Sequence, residues 1–239
     1  MSAGPGRAAG ACQRTPFLAT LHRRQGIGAP GGTRERRMSL DQETRARLVR
    51  IVAEAVIAEA DALTALDQAI GDGDHGVNMR RGCQAVLAEL PAISAKPLPE
   101  LVKALGMAMV MKVGGASGPL YGTLFLELGK ALPAEPSRAD AAAALEAAIR
   151  GVMARGKSQP GQKTMLDVLV PAQAALADGA DAARLKQVVT AAAEATVPMQ
   201  AMRGRASFLG PRSVGHMDPG ARSAALMFTA LADALEGRV

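Results

Sequence analysis

Three aspartates fall within eight residues, at Asp67, Asp72 and Asp74, in the stretch Leu66-Asp67-Gln68-Ala69-Ile70-Gly71-Asp72-Gly73-Asp74-His75-Gly76-Val77-Asn78. Carboxylates this close repel one another unless a cation lies between them. The intervening glycines let the backbone turn tightly enough to aim several oxygens at one point. Hard oxygen donors with open positions suit Mg²⁺, which keeps its remaining sites for water and phosphate oxygens. A solvated turn leading into an Asx cap is the plain alternative for an isolated Asp-Gly pair. Three acids, with His75 and Asn78 beside them between two apolar stretches, favour the metal and hence phosphate chemistry.

Three other segments carry residues of chemical interest. Val113-Gly114-Gly115-Ala116-Ser117-Gly118-Pro119 sets small residues before a predicted helix, whose free N–H groups and dipole suit an anion. Ser117 caps that helix in this reading, or touches a phosphate. Gly151-Val152-Met153-Ala154-Arg155-Gly156-Lys157-Ser158 matches the Walker A letters. That motif needs a strand before it and a helix after it, whereas an Ala-rich helical stretch precedes this one and Gln159-Pro160-Gly161 follows. A turn in which Gly156 lets the backbone approach a nucleotide is the better reading. Arg203-Gly204-Arg205-Ala206-Ser207 continues to Gly215-His216-Met217-Asp218-Pro219-Gly220, and an Arg there offers bidentate donors to phosphate oxygens. With three His (22, 75, 216) and no partner Cys for Cys83, a zinc site and a nucleophilic triad are both disfavoured.

The elements that must position these groups read as helices. Aromatic residues are 2% of the 239, with no Trp and one Tyr, so the core is built from Ala, Leu, Val, Ile and Met. About eight helical stretches are predicted: 41–66, 78–90, 99–112, 117–132, 137–155, a sixth opening near Pro160, 181–202, and one from Asp218-Pro219 to the C-terminal end. Ser137 with Asp140 reads as a capping box, and Asp181 and Asp218 as N-caps. No alternating β-branched run is present. In an antiparallel up-and-down bundle, the loops 67–78, 113–118, 156–163 and 203–218 would gather at one end.

Charge partitions unevenly. Residues 1–37 hold seven Arg against one Glu, a net of +6 that equals the charge of the whole chain; Lys+Arg and Asp+Glu are 21 each from Met38 onward. The body is neutral, which argues against nucleic acid as a partner. Residues 1–37, rich in Gly, Pro, Arg and Ala, read as disordered or as an over-extended start, and an organelle leader is the weaker alternative. No apolar run is long enough for a bilayer, so no membrane association and a cytoplasmic location are expected.

The blocks Ile70-Gly71-Asp72-Gly73-Asp74-His75-Gly76, Gly114 to Thr123, Lys163-Thr164-Met165-Leu166-Asp167 and Gly204-Arg205-Ala206-Ser207 through Gly220 resemble the nucleotide-binding L subunit of dihydroxyacetone kinase over about residues 38–239. This resemblance implies an all-α fold, a closed antiparallel eight-helix barrel with an ADP/ATP–Mg²⁺ site made by loops at one end. Asp67, Asp72 and Asp74 would ligate two Mg²⁺ ions. His75, Gly76, Val77, Asn78, Ala116, Ser117, Gly156, Met165, Arg205, Asp218, Pro219 and Gly220 would form the nucleotide site, with Met165 against the base and Arg205 as the catalytic cation. Gln162 departs from the family's usual Asp.

By the same resemblance, a separate K subunit holds dihydroxyacetone, and a phospho-His donor subunit of the phosphotransferase system rephosphorylates the bound ADP. The chain would work as a homodimer or in a hetero-oligomer with K, and would be inactive alone. An ATP-dependent subunit acting on another short ketose, and a non-catalytic helical binding module, are the alternatives.

Overall fold

The computed structural model describes residues 37–237. The expectation for the N-terminal extension therefore lies outside the described residues, apart from Arg37, which ion-pairs with Asp140 at 3.8 Å. Among the described residues there are ten α-helices, one 3₁₀ segment and no strand, so the all-α expectation holds. The helices are α1 (Gln42–Ala58), α2 (Ala60–Ile70), α3 (His75–Ala88), α4 (Leu90–Ser94), α5 (Leu98–Lys112), α6 (Ser117–Ala131), α7 (Arg138–Gly156), α8 (Leu166–Ala177), α9 (Ala182–Glu194) and α10 (Pro219–Leu235). The 3₁₀ segment Arg205–Ser213 is broken at Gly210.

Caps set several of these boundaries. Asp41, Asp181 and Asp218 each accept a backbone N–H three residues on, from Thr44, Arg184 and Ala221. Ser137 and Asp140 form the reciprocal capping box at 3.1 and 2.9 Å. Each such cap contributes about 1 kcal/mol.

Four expected boundaries are corrected. The first stretch breaks at Glu59, whose ψ of 4° turns the chain between α1 and α2. The second begins at His75 and resumes as α4 beyond Glu89, with Pro91 in the first turn of α4, where its missing N–H costs nothing. The sixth begins at Leu166 rather than near Pro160, because Asp167 draws the N–H groups of Gly161 and Thr164 onto its carboxylate and holds the intervening residues in a loop. The seventh stops at Glu194.

α5 packs on α6, α6 on α7, α7 on α8, α8 on α9 and α9 on α10; α10 in turn packs on α1, α1 on α3, and α3 on α5. The α5–α6 approach depends on small residues, since a Cβ at Gly106 would lie 2.9 Å from the amide nitrogen of Leu126. Val56, Leu63, Met79, Val152, Leu166, Val168 and Val189 are fully buried in the main core. Burying each such side chain stabilises the fold by roughly 1.5–3 kcal/mol. An apolar cavity of about 320 Å³, lined in part by Val52, Leu101, Leu105 and Phe228, runs along this interior. Among the described residues no helix is long and apolar enough to cross a membrane.

Candidate functional site

Asp67 sits in the last turn of α2, Asp72 in the α2–α3 turn, and Asp74 at the N-cap position of α3. One carboxylate oxygen from each lies within 4.8 Å of the other two. Asp67 is buried and its Oδ2 accepts the N–H groups of Asp74 at 2.8 Å and His75 at 3.0 Å. One acid thereby fixes the turn that carries the other two. Gly76 makes the approach of α3 to α2 possible, because a Cβ there would collide with the carbonyl oxygen of Ala60 and the hydroxyl of Thr64. The donor set is carboxylate oxygen alone, which fits a hard divalent cation and not a thiolate- or imidazole-seeking metal.

Two further loops reach this cluster. A Cβ at Gly115 would stand 3.3 Å from Asp74 Oδ2, and one at Gly114 would stand 2.8 Å from Asn78 Oδ1, so the α5–α6 turn lies directly on the acidic turn. Gly115 has a φ of 62°, a left-handed conformation that glycine adopts without steric cost. Arg205 Nε pairs with Asp72 Oδ2 at 2.5 Å. Its side chain is 71% exposed, so the arm is anchored only by its partner.

Beside the cluster opens a cavity of about 330 Å³. His75, Ala116, Ser117, Gly156, Met165, Asp218 and Gly220 line it. These were expected from the sequence. Gly76, Val77, Asn78, Arg205 and Pro219 were also expected but do not line it: Gly76 and Pro219 are packing residues, Asn78 is buried behind Gly114, Val77 is half exposed, and Arg205 lies over the acids. Arg155, Ser158, Thr164 and Arg203 also line the cavity; each lies in a segment singled out above, although none is among the expected nucleotide-site residues.

Ser117 does not cap α6; the N-cap residue is Ala116, and Ser117 is the first helical residue. Its hydroxyl is instead hydrogen-bonded to His75 Nδ1 at 2.8 Å. The other ring nitrogen, Nε2, meets Ser223 Oγ at 2.9 Å, and Ser223 meets the Tyr121 hydroxyl at 2.6 Å. Burial depresses the His75 pKa to about 4, against the opposing pull of Asp67, so the imidazole is neutral. Its two nitrogens therefore play opposite roles, one donor and one acceptor. Tyr121, in α6, lines the cavity as well, whereas Ser223, in α10, reaches the site through His75, a pairing too distant in the chain for the sequence to announce.

Asp218 is held up to about 7, principally by burial, with Asp167 and Asp67 adding repulsion and the Ala221 N–H and Lys163 acting in the other direction. The Walker-like letters lie on helix: α7 runs through Gly156, and Lys157 closes it in a left-handed conformation. The strand–loop–helix context of a P-loop is absent, as the flanking residues predict.

The family model described as the DAK2 domain matches residues 69–233. The chain is 45% identical over 197 residues to the ADP-binding subunit DhaL of PEP-dependent dihydroxyacetone kinase 1 from Listeria innocua, an overlap of 81% of this chain and 97% of that one. It is 42% identical over 184 residues to the corresponding Escherichia coli subunit, covering 73% of this chain and 88% of that one. Among solved structures, the dihydroxyacetone kinase of C. freundii in complex with AMP-PNP and Mg²⁺ superposes with a TM-score of 0.67 at 25% identity, over 88% of this chain. This chain spans only 37% of that longer one. The chain thus belongs to the DAK2-domain family of dihydroxyacetone kinase ADP-binding subunits.

Proposed function

We propose that this chain is the nucleotide-binding subunit of a dihydroxyacetone kinase, which passes a phosphoryl group to dihydroxyacetone held on a separate K subunit. The observation that carries the reading is the convergence of three carboxylates beside a cavity whose wall is the N-terminus of α6. Asp67, Asp72 and Asp74 would hold two Mg²⁺ ions, and these, when bound, neutralise the charge of a nucleotide's phosphates. Phosphoryl transfer is chiefly positioning and charge neutralisation, so the protein needs no nucleophile of its own.

The remaining roles are those the resemblance implies, and the geometry supports them. The unpaired N–H groups in the first turn of α6 favour an anion at Ser117. The Ser117 hydroxyl, held by His75 Nδ1 at 2.8 Å, stands at that N-terminus where it can contact a phosphate oxygen. Met165 gives the base an apolar, polarisable surface. Arg205, on its exposed arm beside Asp72, is the cation within reach of a transferring phosphoryl group and would supply charge to it. Asp218, Pro219 and Gly220 close the cavity at the N-terminus of α10. The order of helix neighbours, which returns from α10 to α1 and through α3 to α5, supports the closed eight-helix barrel.

The names of the relatives, PEP-dependent and ADP-binding, support a donor other than free ATP. In this reading a phospho-His subunit of the phosphotransferase system rephosphorylates the ADP in place, and the subunit acts in a hetero-oligomer with K in the cytoplasm. The test is reconstitution. Chain, K subunit and phospho-donor together convert dihydroxyacetone to its phosphate, whereas the chain with ATP and sugar alone does not; turnover by the isolated chain would contradict the division of labour.

A further inference from the structure

Lys163 is 1% exposed, yet it does not line the nucleotide cavity. Its φ of 60° places a side-chain-bearing residue in the left-handed region, which sterics disfavour. Such a conformation persists only where the surroundings over-determine it. The surroundings here are four main-chain carbonyls. Nζ donates to the oxygens of Thr196 and Met199 at 3.0 Å each, Ser213 at 2.7 Å and His216 at 2.5 Å. All four belong to the strap between α9 and α10.

Other bonds tie the same two segments. The Met202 N–H donates to the Gln162 carbonyl at 3.2 Å, and Arg203 Nε donates to Gln162 Oε1 at 3.2 Å. Gln162 Oε1 also accepts the Gln159 N–H at 2.9 Å. Thr196 Oγ1, next to one of the clamped carbonyls, accepts the Asp218 N–H at 3.0 Å. The joined segments both line the nucleotide cleft: Ser158, Thr164 and Met165 come from the α7–α8 loop, and Arg203, Gly204 and Asp218 from the strap. Burial lowers the ammonium's pKa while Asp218 acts to raise it.

We propose that Lys163 is a positioning residue for nucleotide retention: its ammonium pins the α9–α10 strap to the α7–α8 loop, and this tie sets how slowly the nucleotide leaves. Gln162, in place of an acid, completes the tie through Arg203 without adding charge. The inference rests on the nucleotide-binding role proposed above. It does not involve the metal cluster, because the clamp touches none of Asp67, Asp72 and Asp74.

The experiment follows release of a fluorescent ADP from the Mg²⁺-loaded full chain. Lys163→Met is expected to release it at least tenfold faster, with Mn²⁺ affinity in the absence of nucleotide within twofold of the parent and amide exchange accelerated in residues 196–216. Gln162→Ala, which removes only side-chain bonds, is expected to release it two- to fivefold faster. Leu101→Ala, a core truncation away from the strap, is the stability-matched control and keeps the parental release rate. If Lys163→Met does not fold, Gln162→Ala carries the test alone. Parental release rates in the folded variants, or an equal acceleration in Leu101→Ala, overturn the proposal and leave the nucleotide-binding role standing. A parent chain that binds no ADP overturns that role, and this inference with it.

Discussion

Replacing Asp67 separates the metal's demand on the acidic turn from the fold's demand. The side chain is 8% exposed, and one of its oxygens holds the N–H groups of Asp74 and His75 at 2.8 and 3.0 Å. Asp67→Asn keeps a carbonyl oxygen for both donors and removes one of three mutually repelling charges, so the metal-free protein should melt at or slightly above the parental temperature. Asp67→Ala removes both bonds. At about 1.5–3 kcal/mol for a hydrogen bond to a charged group, partly offset by relieved repulsion, the loss is ~2–4 kcal/mol. For a domain of this size that is roughly 4–16 °C in melting temperature. The metal sees the two variants alike. Even with full water screening, a dication about 2.1 Å from a carboxylate oxygen gains ~4 kcal/mol, so allowing for the amide's own dipole Mg²⁺·ADP should bind roughly 100-fold more weakly. By linkage, saturating Mg²⁺·ADP then stabilises either variant by ~2.7 kcal/mol less than the parent, about 5–10 °C of the thermal shift. Thermal melts with and without Mg²⁺·ADP read all of these quantities. An Asp67→Asn protein that gains the full parental shift would refute the reasoning, because the acid would then serve the turn and not the cation.

Arg205→Gln should leave the melting temperature within about 4 °C, since its exposed pair with Asp72 contributes at most ~1 kcal/mol, while lowering turnover in the reconstituted system by ~100-fold or more. The His75 ring resonances of the metal-free protein should stay flat between pH 5.5 and 8, because burial holds the folded pKa near 4; a midpoint near 6.5 would contradict a buried, neutral imidazole. The unfolded chain protonates this group first, so acidification through that window favours unfolding; Asp218, held up to about 7, works with the opposite sign, which makes the resonance a cleaner readout than a melt. Gly76→Ala should destabilise by ~1–3 kcal/mol and displace the acidic turn, seen as a lower melting temperature together with weaker Mn²⁺ binding.

Local signals were legible in the sequence and distant ones were not. The Ser137–Asp140 box and the Asp181 and Asp218 caps are decided within four residues, and each forms as its letters predict. Asp67, Asp72 and Asp74 share a turn, so proximity in the chain becomes proximity in space. Ser117 was read as a cap because the competing partner, His75, lies 42 residues away. The break at Glu59 carries neither Gly nor Pro to announce it. Leu166 opens α8 late because Asp167 satisfies two upstream amides, a choice its type permits but does not require. Lys163 is the deepest omission: a lysine reads as surface, and only the fold assembles the four carbonyls that make its burial tolerable.

In the function proposed above, the acidic turn holds divalent cations against a nucleotide's phosphates. Crystals grown with Mn²⁺ and ADP test it through anomalous scattering. Two peaks are expected, each about 2.2 Å from carboxylate oxygens of Asp67, Asp72 and Asp74 and sharing the diphosphate. Nucleotide in the cavity with Mn²⁺ bound elsewhere, or peaks with no phosphate beside them, would contradict it.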